Sequence, residues 1–476
     1  MLSVFFRGGN MQLWYVWFDC VYALKGGCSY EMTFNWMVVI LATMSLRGFD
    51  LVGVTSFVRC HYLKEKCYHS LLKTFHSTAI KLEILTQLWV RHVVKLLGHS
   101  ILTVNQKHVL IADGIKVPKE GKKMPAVKKL HQESTCNSKP EYIMGHSCQV
   151  ISVVVKAMQS YFSFPLAGRI HEGLRFTNRR KKTLIEKLHD LIVSMTYEKQ
   201  FYLVADPYFA SKKIAVPLIE RGNHLVTRLR SNAVGYKKAP KMKKAGRGRK
   251  RFYGRKIKLG KIFNKHKSFI QAQSPVYNEK GTILKYHYQD LIWRPLARFV
   301  RFVWVIHPNR GKVLLMATDI SLDPISVIKL YGMRFKIEVA FRQAVYTVGT
   351  FNYHFWMMDM KKIKYGSKDQ FLHRESEIYR KHVKRKMKAY NTHIQLGLIA
   401  QGLLQYLSIT KPFTVWKYFN SWMRTMNKKK CPSEHVVSFA LANKLPQFLK
   451  LLKKNDKWRK FIEDKIDFKR FPGLNI

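Results

Sequence analysis

The period of the hydrophobic positions changes along this chain. Up to about residue 100, apolar residues such as Leu71, Leu72, Phe75, Ile80, Leu82, Ile84 and Leu85 recur at helical intervals beside Lys and His, which predicts a helical, aromatic-rich region. From Lys107 the text becomes continuous. Val109-Leu110-Ile111-Ala112 is an apolar run of strand length, the pattern of a strand buried on both faces. A basic stretch at 116–129 leads into strand-like runs at 142–155 and 161–170. Residues 177–197 read as a helix with a Thr cap, its Leu184, Ile185, Leu188, Leu191, Ile192 and Met195 lying on one side. Phe201 to Ala205 is a second buried strand. The order is therefore strand, strand, strand, helix, strand.

Beyond it, residues 286–292 and 297–306 alternate aromatic, aliphatic and basic side chains, and Arg310-Gly311 makes a turn before 313–317, the language of a β-meander. Helical text resumes at Pro324, with Asp323 placed as its cap. From about Lys361 a charged segment precedes apolar helices at 394–407 and 436–452. No internal repeat stands out.

Composition narrows the partner. The chain has 476 residues, 47% hydrophobic and 13% aromatic, enough for several cores. Its 85 Lys and Arg against 29 Asp and Glu give a formal charge of +56, and such a surface attracts polyanions through counterion release. Nucleic acid is the expected partner. A membrane is not: the longest apolar stretch, 34–46, is shorter than the roughly 18 to 20 residues that cross a bilayer, and it reads as a buried helix. Arg7 lies near the start, but no clean apolar run with a small-residue cleavage site follows it, so a cytoplasmic location is expected.

Seven cysteines (Cys20, Cys28, Cys60, Cys67, Cys136, Cys148 and Cys431) form no Cys-x-x-Cys pair, which argues against a disulfide framework and a zinc ribbon. Cys60, His61, Cys67 and His69 have the wrong spacing for a structural zinc site. His131, His171 and His189 are read as surface or hydrogen-bonding residues. The basic run 237–267, with Gly246, Gly248 and Gly254, reads as a mobile hairpin or loop that is either solvated or tracks phosphates.

Against this charge balance, three acids stand out. Leu110-Ile111-Ala112-Asp113-Gly114 and Leu203-Val204-Ala205-Asp206-Pro207 are near-repeats, each an apolar run ending in a carboxylate, and Glu338 follows in helical text. A lone Asp after a strand is most often a turn or helix cap. Taken together, oxygen-only ligands on neighbouring strands suit Mg²⁺ or Mn²⁺, and two such ions about 3.5 to 4 Å apart serve phosphodiester cleavage and transfer. Tyr331, Arg334 and Glu338 are spaced by three and four, so on one helix they share a face. Ile337 and Val339 on either side of Glu338 predict partial burial.

Asp113, Asp206 and the Tyr-x-x-Arg-x-x-x-Glu of Tyr331, Arg334 and Glu338, with a long insertion before the Glu, resemble the DDE transposases of bacterial insertion sequences. The likeness is to the branch with that Tyr-Arg-Glu signature and a β-rich insertion domain. Asp113-Gly114-Ile115-Lys116, Ala205-Asp206-Pro207-Tyr208-Phe209 and the 225–232 run containing Arg228 and Arg230 support it, and it covers roughly 107–345.

The resemblance implies an α/β, ribonuclease-H-like catalytic core interrupted by a β-rich insertion, with helical N- and C-terminal regions. The implied plan is a helical DNA-binding region at 1–100, the first part of the core at 101–225, the insertion at 226–320, the core completed at 321–360 and a helical dimerisation region at 361–476. It implies cleavage of terminal inverted repeats by two Mg²⁺ ions (Mn²⁺ as a substitute) held by Asp113, Asp206 and Glu338, joining of the 3′ ends to target DNA, a hairpin route and a homodimer on double-stranded DNA. DNA contacts are implied at Tyr331, Arg334, Arg342, Lys116, Arg228, Arg230 and Trp293, with Trp304 a second aromatic for stacking on a flipped base, although aromatics in strands more often pack in the core, and that is the favoured reading for both Trp. The signature usually continues with Lys seven residues after the Glu. Here that position is Val345, and Arg342, one turn after Glu338, is the nearest cation on the same face. A structure-selective nuclease on the same core, and a remnant that binds DNA without catalysis, are the competing readings.

Overall fold

A computed structural model describes residues 12–47, 51–132, 140–179, 182–240, 251–265, 268–276, 279, 281–419, 421, 427–451, 456–467 and 469–470. The N-terminal region is helical: α1 (Gln12–Tyr22), α2 (Glu31–Arg47), α3 (Val54–Cys60), α4 (Cys67–His76) and α5 (Leu82–Leu97). The apolar stretch at 34–46 lies in α2 and is buried throughout, which is why it needs no membrane. Among the described residues no helix is long and apolar enough to cross one.

The strands follow as β1 (Thr103–Val104), β2 (Lys107–Pro118), β3 (Lys128–His131), β4 (Tyr142–Ala157), β5 (Ser160–Ile170) and β6 (Leu174–Arg175). Next come α6 (Leu184–Ser194), β7 (Phe201–Ala205), α7 (Lys212–Glu220) and β8 (His224–Leu229). The fold is mixed α/β around one large mixed sheet. Its centre runs β5-β4-β2-β7-β8, with β4 antiparallel to β2 and β5, and β2, β7 and β8 mutually parallel. Val109 to Ala112 and Phe201 to Ala205 are almost wholly buried, as two-sided cover of a parallel pair requires. Each large apolar side chain removed from water there contributes about 1.5–3 kcal/mol.

The helix expected at 177–197 is shorter and starts later. Thr183, not Thr177, caps it: the Thr183 hydroxyl accepts from the Glu186 N–H while the Glu186 carboxylate accepts from the Thr183 N–H. This reciprocal box satisfies two helix-end donors, and an end fixed that way outcompetes an earlier Thr without such a partner.

The strand-rich stretch contributes β9 (Val234–Lys238), β10 (Tyr253–Lys258), β11 (Ile270–Gln273), β12 (Ile283–Trp293), β13 (Arg298–His307) and β14 (Gly311–Ala317). These strands are continuous with the sheet, because β14 pairs antiparallel with β8 and the order extends β10-β9-β12-β13-β14-β8. Trp293 is 7% exposed and Trp304 fully buried, its indole donating to the Leu259 carbonyl at 2.8 Å. Neither ring is presented for stacking on a base. β9 and β10 pair as a hairpin, while residues 241–250 and 266–267 of the basic run lie outside the described residues.

The chain closes with α8 (Pro324–Met333), α9 (Phe335–Gln343), β15 (Gln370–Phe371), α10 (Glu377–Thr410), α11 (Pro412–Phe419), α12 (Glu434–Leu451) and α13 (Lys457–Lys465). Asp323 caps α8 through the Ser326 N–H at 2.9 Å, with Pro324 at the first helical position. The 34-residue α10 is charged and largely exposed in its first turns, then buried at every position but Asn391 from Ala389 to Gln405 as it crosses the sheet. Gly402 permits that crossing, since a Cβ there would stand 2.3 Å from the Trp89 ring. Cys136 lies outside the described residues; none of the other six cysteines is in a disulfide.

Candidate active site

Two parallel strands deliver the aspartates to one edge of the sheet. Ala112 of β2 is in register with Ala205 of β7, so the next residues, Asp113 and Asp206, stand at the same level on adjacent strands. The Asp113 carboxylate accepts from the Gly114 N–H at 2.8 Å. Asp206 is also a cap: its Oδ1 accepts from the Tyr208 N–H at 2.7 Å, opening a short turn at Pro207–Phe209. Thr227 on β8 steadies this end of β7 by donating its hydroxyl to the Asp206 carbonyl at 3.0 Å, a support that nothing in the local sequence signals.

Glu338 arrives on α9, and the join is Arg334. The expected unbroken helix through Tyr331, Arg334 and Glu338 is divided into α8 and α9, and Arg334 occupies the junction. From there its guanidinium reaches Asp113 Oδ2 at 2.5 Å and Glu338 Oε1 at 2.7 Å. One fork therefore ties the strand acid to the helix acid. Ile337 is buried, whereas Glu338 and Val339 are exposed, so the Glu lies at the rim and not in the partly buried setting its neighbours suggested.

The electrostatics report convergence. Burial pushes the Asp113 carboxyl up to about 6; Arg334 and the Gly114 N–H oppose the rise, while Asp206 and Glu338 add to it. Burial lowers the Arg334 guanidinium, but Asp113, Tyr331, Glu338 and Asp206 together raise it above its usual value. Burial also raises the Tyr331 phenol, against the pull of Arg334 and Arg228. All three acids thus act on one another's neighbourhood. Among the described residues, no group of three or more His, Cys, Asp or Glu side chains is arranged to hold a metal ion. The cation that Asp113 and Glu338 share in this geometry is Arg334.

The remaining sequence-derived residues divide. Tyr331 lies within electrostatic reach of Arg334, Arg228 and Asp206. Arg230 is exposed beyond them on the β8 side. Lys116 is three residues from Asp113 on the same strand, which puts it on the opposite face, and it donates to the His131 carbonyl at 2.7 Å. Arg342 is exposed in the last turn of α9. Val345 sits in a π-helical turn and packs against the core.

Residues 65–294, just under half of the chain, match a family model described as DDE superfamily endonuclease. The matched span contains Asp113 and Asp206 and stops before Glu338. Among curated proteins no sequence matches. Among solved structures, the chain is similar to the piggyBac transposase synaptic complex with hairpin DNA, at 12% identity and a TM-score of 0.35 over 96% of this chain and 84% of that chain. A likeness that weak bears neither on fold nor on function.

Proposed function

We propose that this chain is a DNA-cutting and DNA-joining enzyme of the DDE transposase type, with Asp113, Asp206 and Glu338 as ligands for divalent cations. The observation that carries the reading is the meeting of three acids from distant parts of the chain at one sheet edge, within a protein of formal charge +56. The central strand order, three antiparallel strands followed by two parallel ones, supports a ribonuclease-H-like core. The match to DDE superfamily endonucleases over both aspartates points the same way.

The donor set suits the ions proposed. Carboxylate oxygens are hard ligands appropriate to Mg²⁺ or Mn²⁺, and a cation bound there would oppose the rise that burial, with Asp206 and Glu338 alongside, imposes on the Asp113 carboxyl. When bound, such ions polarise a phosphodiester and stabilise both the attacking and the leaving oxygen. The protein's own part is positional. β2 and β7 hold Asp113 and Asp206 level, and α9 brings Glu338 across. Release of Arg334 from these oxygens frees two carboxylates and turns a planar fork of donors toward a phosphate, the geometry guanidinium matches best. Tyr331 and Arg228 flank the same place. Hydrolysis there breaks a P–O bond to leave a 3′-hydroxyl, and that hydroxyl then attacks a second phosphodiester, displacing its 3′ oxygen.

The test is a Mg²⁺-dependent reaction on labelled duplexes taken from the DNA flanking the coding sequence, with a plasmid as target. Cutting followed by joining of the labelled ends to plasmid is the expected result. Cutting without joining reduces the function to that of a nuclease, and binding without either overturns the catalytic reading.

A further inference from the structure

A second feature lies at the same sheet edge. A recess of about 910 Å³ opens between the end of β5, the start of α5, α6 and the first half of α10. Its volume falls within the roughly 300–1,000 Å³ of pockets that enclose small ligands, a scale suited to a nucleotide or two. Lys81, Lys384 and Lys388 line it together with Arg175, Lys182 and Lys187. Its two acids are already engaged, Glu83 with Arg169 at 3.3 Å and Glu172 with Lys128 at 3.5 Å. Arg175 and Lys182 pair with Asp369 and Asp190, and Lys187 donates to the His171 carbonyl, so the remaining lining cations are those of α10 and the start of α5.

Two further groups match a base. Phe176 lines the recess and is 42% exposed, with the Lys384 ammonium 5.7 Å from its ring centroid. His171, 7% exposed, lines the floor, and its Nε2 has no hydrogen-bond partner among the described residues. Burial, with Lys187 and Arg169 nearby, pushes this imidazole down to about 3, so it offers a neutral hydrogen-bonding atom. That corrects the reading of His171 as an ordinary surface or satisfied residue.

Register joins the recess to the acids. Cys148 of β4 pairs with Ile115 of β2 on one side and with Ile170 of β5 on the other. His171 therefore begins two strand spacings, about 10 Å, from the strand of Asp113 and three residues, roughly 10 Å, past its level. Gln149, opposite Gly114, donates to the Leu184 carbonyl at 3.1 Å, which fastens the α6 wall to the strand beside the acids. Glu172 lies near enough to Tyr208, two residues after Asp206, to reinforce the rise that burial imposes on its phenol.

We propose that this recess binds an unpaired stretch of DNA leading away from the acid-lined edge, with its phosphates on Lys81, Lys384 and Lys388 and one base stacked on Phe176 with its edge toward His171. The proposal rests on the DNA-cutting reading above and adds the strand state of the substrate at one side of the site. Cationic side chains and an aromatic ring are the usual means of holding single strands.

The experiment uses the full chain without divalent ions and follows fluorescence anisotropy of a labelled 15-nucleotide oligothymidylate and a labelled duplex of the same length across a salt series. Lys384→Ala combined with Lys388→Ala is expected to reduce the single-strand salt slope by about 1.4, at about 0.7 per phosphate contact. Phe176→Ala is expected to weaken oligothymidylate binding roughly 5- to 150-fold with the slope unchanged, and Phe176→Tyr to restore it. Duplex binding is expected to be unaffected by all of these. Equal losses on duplex, unchanged oligothymidylate binding, failure of Phe176→Tyr to restore it, or displacement by thymidine monophosphate at the oligomer's own affinity overturns the proposal. A wild-type chain that binds neither probe overturns the DNA-cutting reading with it, whereas wild-type binding that the variants do not change removes the recess alone.

Discussion

Asp113→Asn is expected to lose DNA cleavage by about 10³-fold or more, while DNA binding stays intact or tightens. A thousandfold corresponds to about 4 kcal/mol of barrier, a scale in keeping with removing one ligand from a two-ion site. Binding should hold because deleting a carboxylate also deletes repulsion toward phosphate. Stability supplies an independent reading. The folded-state carboxyl is raised to about 6, so its ionised form at neutral pH is disfavoured by folding, and an uncharged isostere is expected to leave the melting temperature unchanged or higher. Loss of activity without loss of stability is the pattern of a side chain kept for function. Cleavage assays, anisotropy and thermal melts on one protein preparation check all three. Undiminished cleavage would reject Asp113 as a site residue.

The second large effect is loss of stability in mild acid. His146, His393 and His171 are buried, and burial pushes each imidazole down to about 3; His76 is pushed down to about 4 for the same reason. Below about pH 6.5 the unfolded chain takes up protons at these four rings and the folded chain does not, so stability falls as pH falls. Asp113 and the buried Glu434 work in the opposite direction, because burial raises both. The four rings outnumber those two carboxyls, so stability is expected to fall as pH drops from about 6.5 towards 4. Urea titrations at pH 7.5, 6 and 5 measure it, and a midpoint that does not move over this range would contradict the burial of these histidines.

Much of the site was legible because its strands are wholly apolar. A run such as Val109 to Ala112 cannot rest on a surface, and the second such run, which follows the helix, lies parallel beside it and brings their following residues level, as Ala112 and Ala205 show. The helix break at Arg334 was not legible. Side-chain spacing is blind to it, since Arg334 itself has helical dihedrals, φ −50° and ψ −39°. Nor does spacing show that a guanidinium suited to phosphate rests on the carboxylates instead. The pairing of β14 with β8 joins strands about ninety residues apart, so local alternation gave the meander but not its continuity with the central sheet. For Thr183 the signal was present, a Thr with Glu three residues later, and it outranked Thr177. His171 was unreadable because its burial depends on α6 and β5 meeting, whereas Trp293 and Trp304 lie in the core, the usual place of strand aromatics.

The central claim is that Asp113, Asp206 and Glu338 act as one divalent-cation site, and the most direct measurement is Mn²⁺ uptake followed by electron paramagnetic resonance. In the presence of duplex DNA, the wild-type chain is expected to take up Mn²⁺, Asp113→Asn and Asp206→Asn to lose that uptake, and Glu338→Gln to weaken it. Mn²⁺ uptake equal in all four proteins, or absent from the wild type, would contradict it.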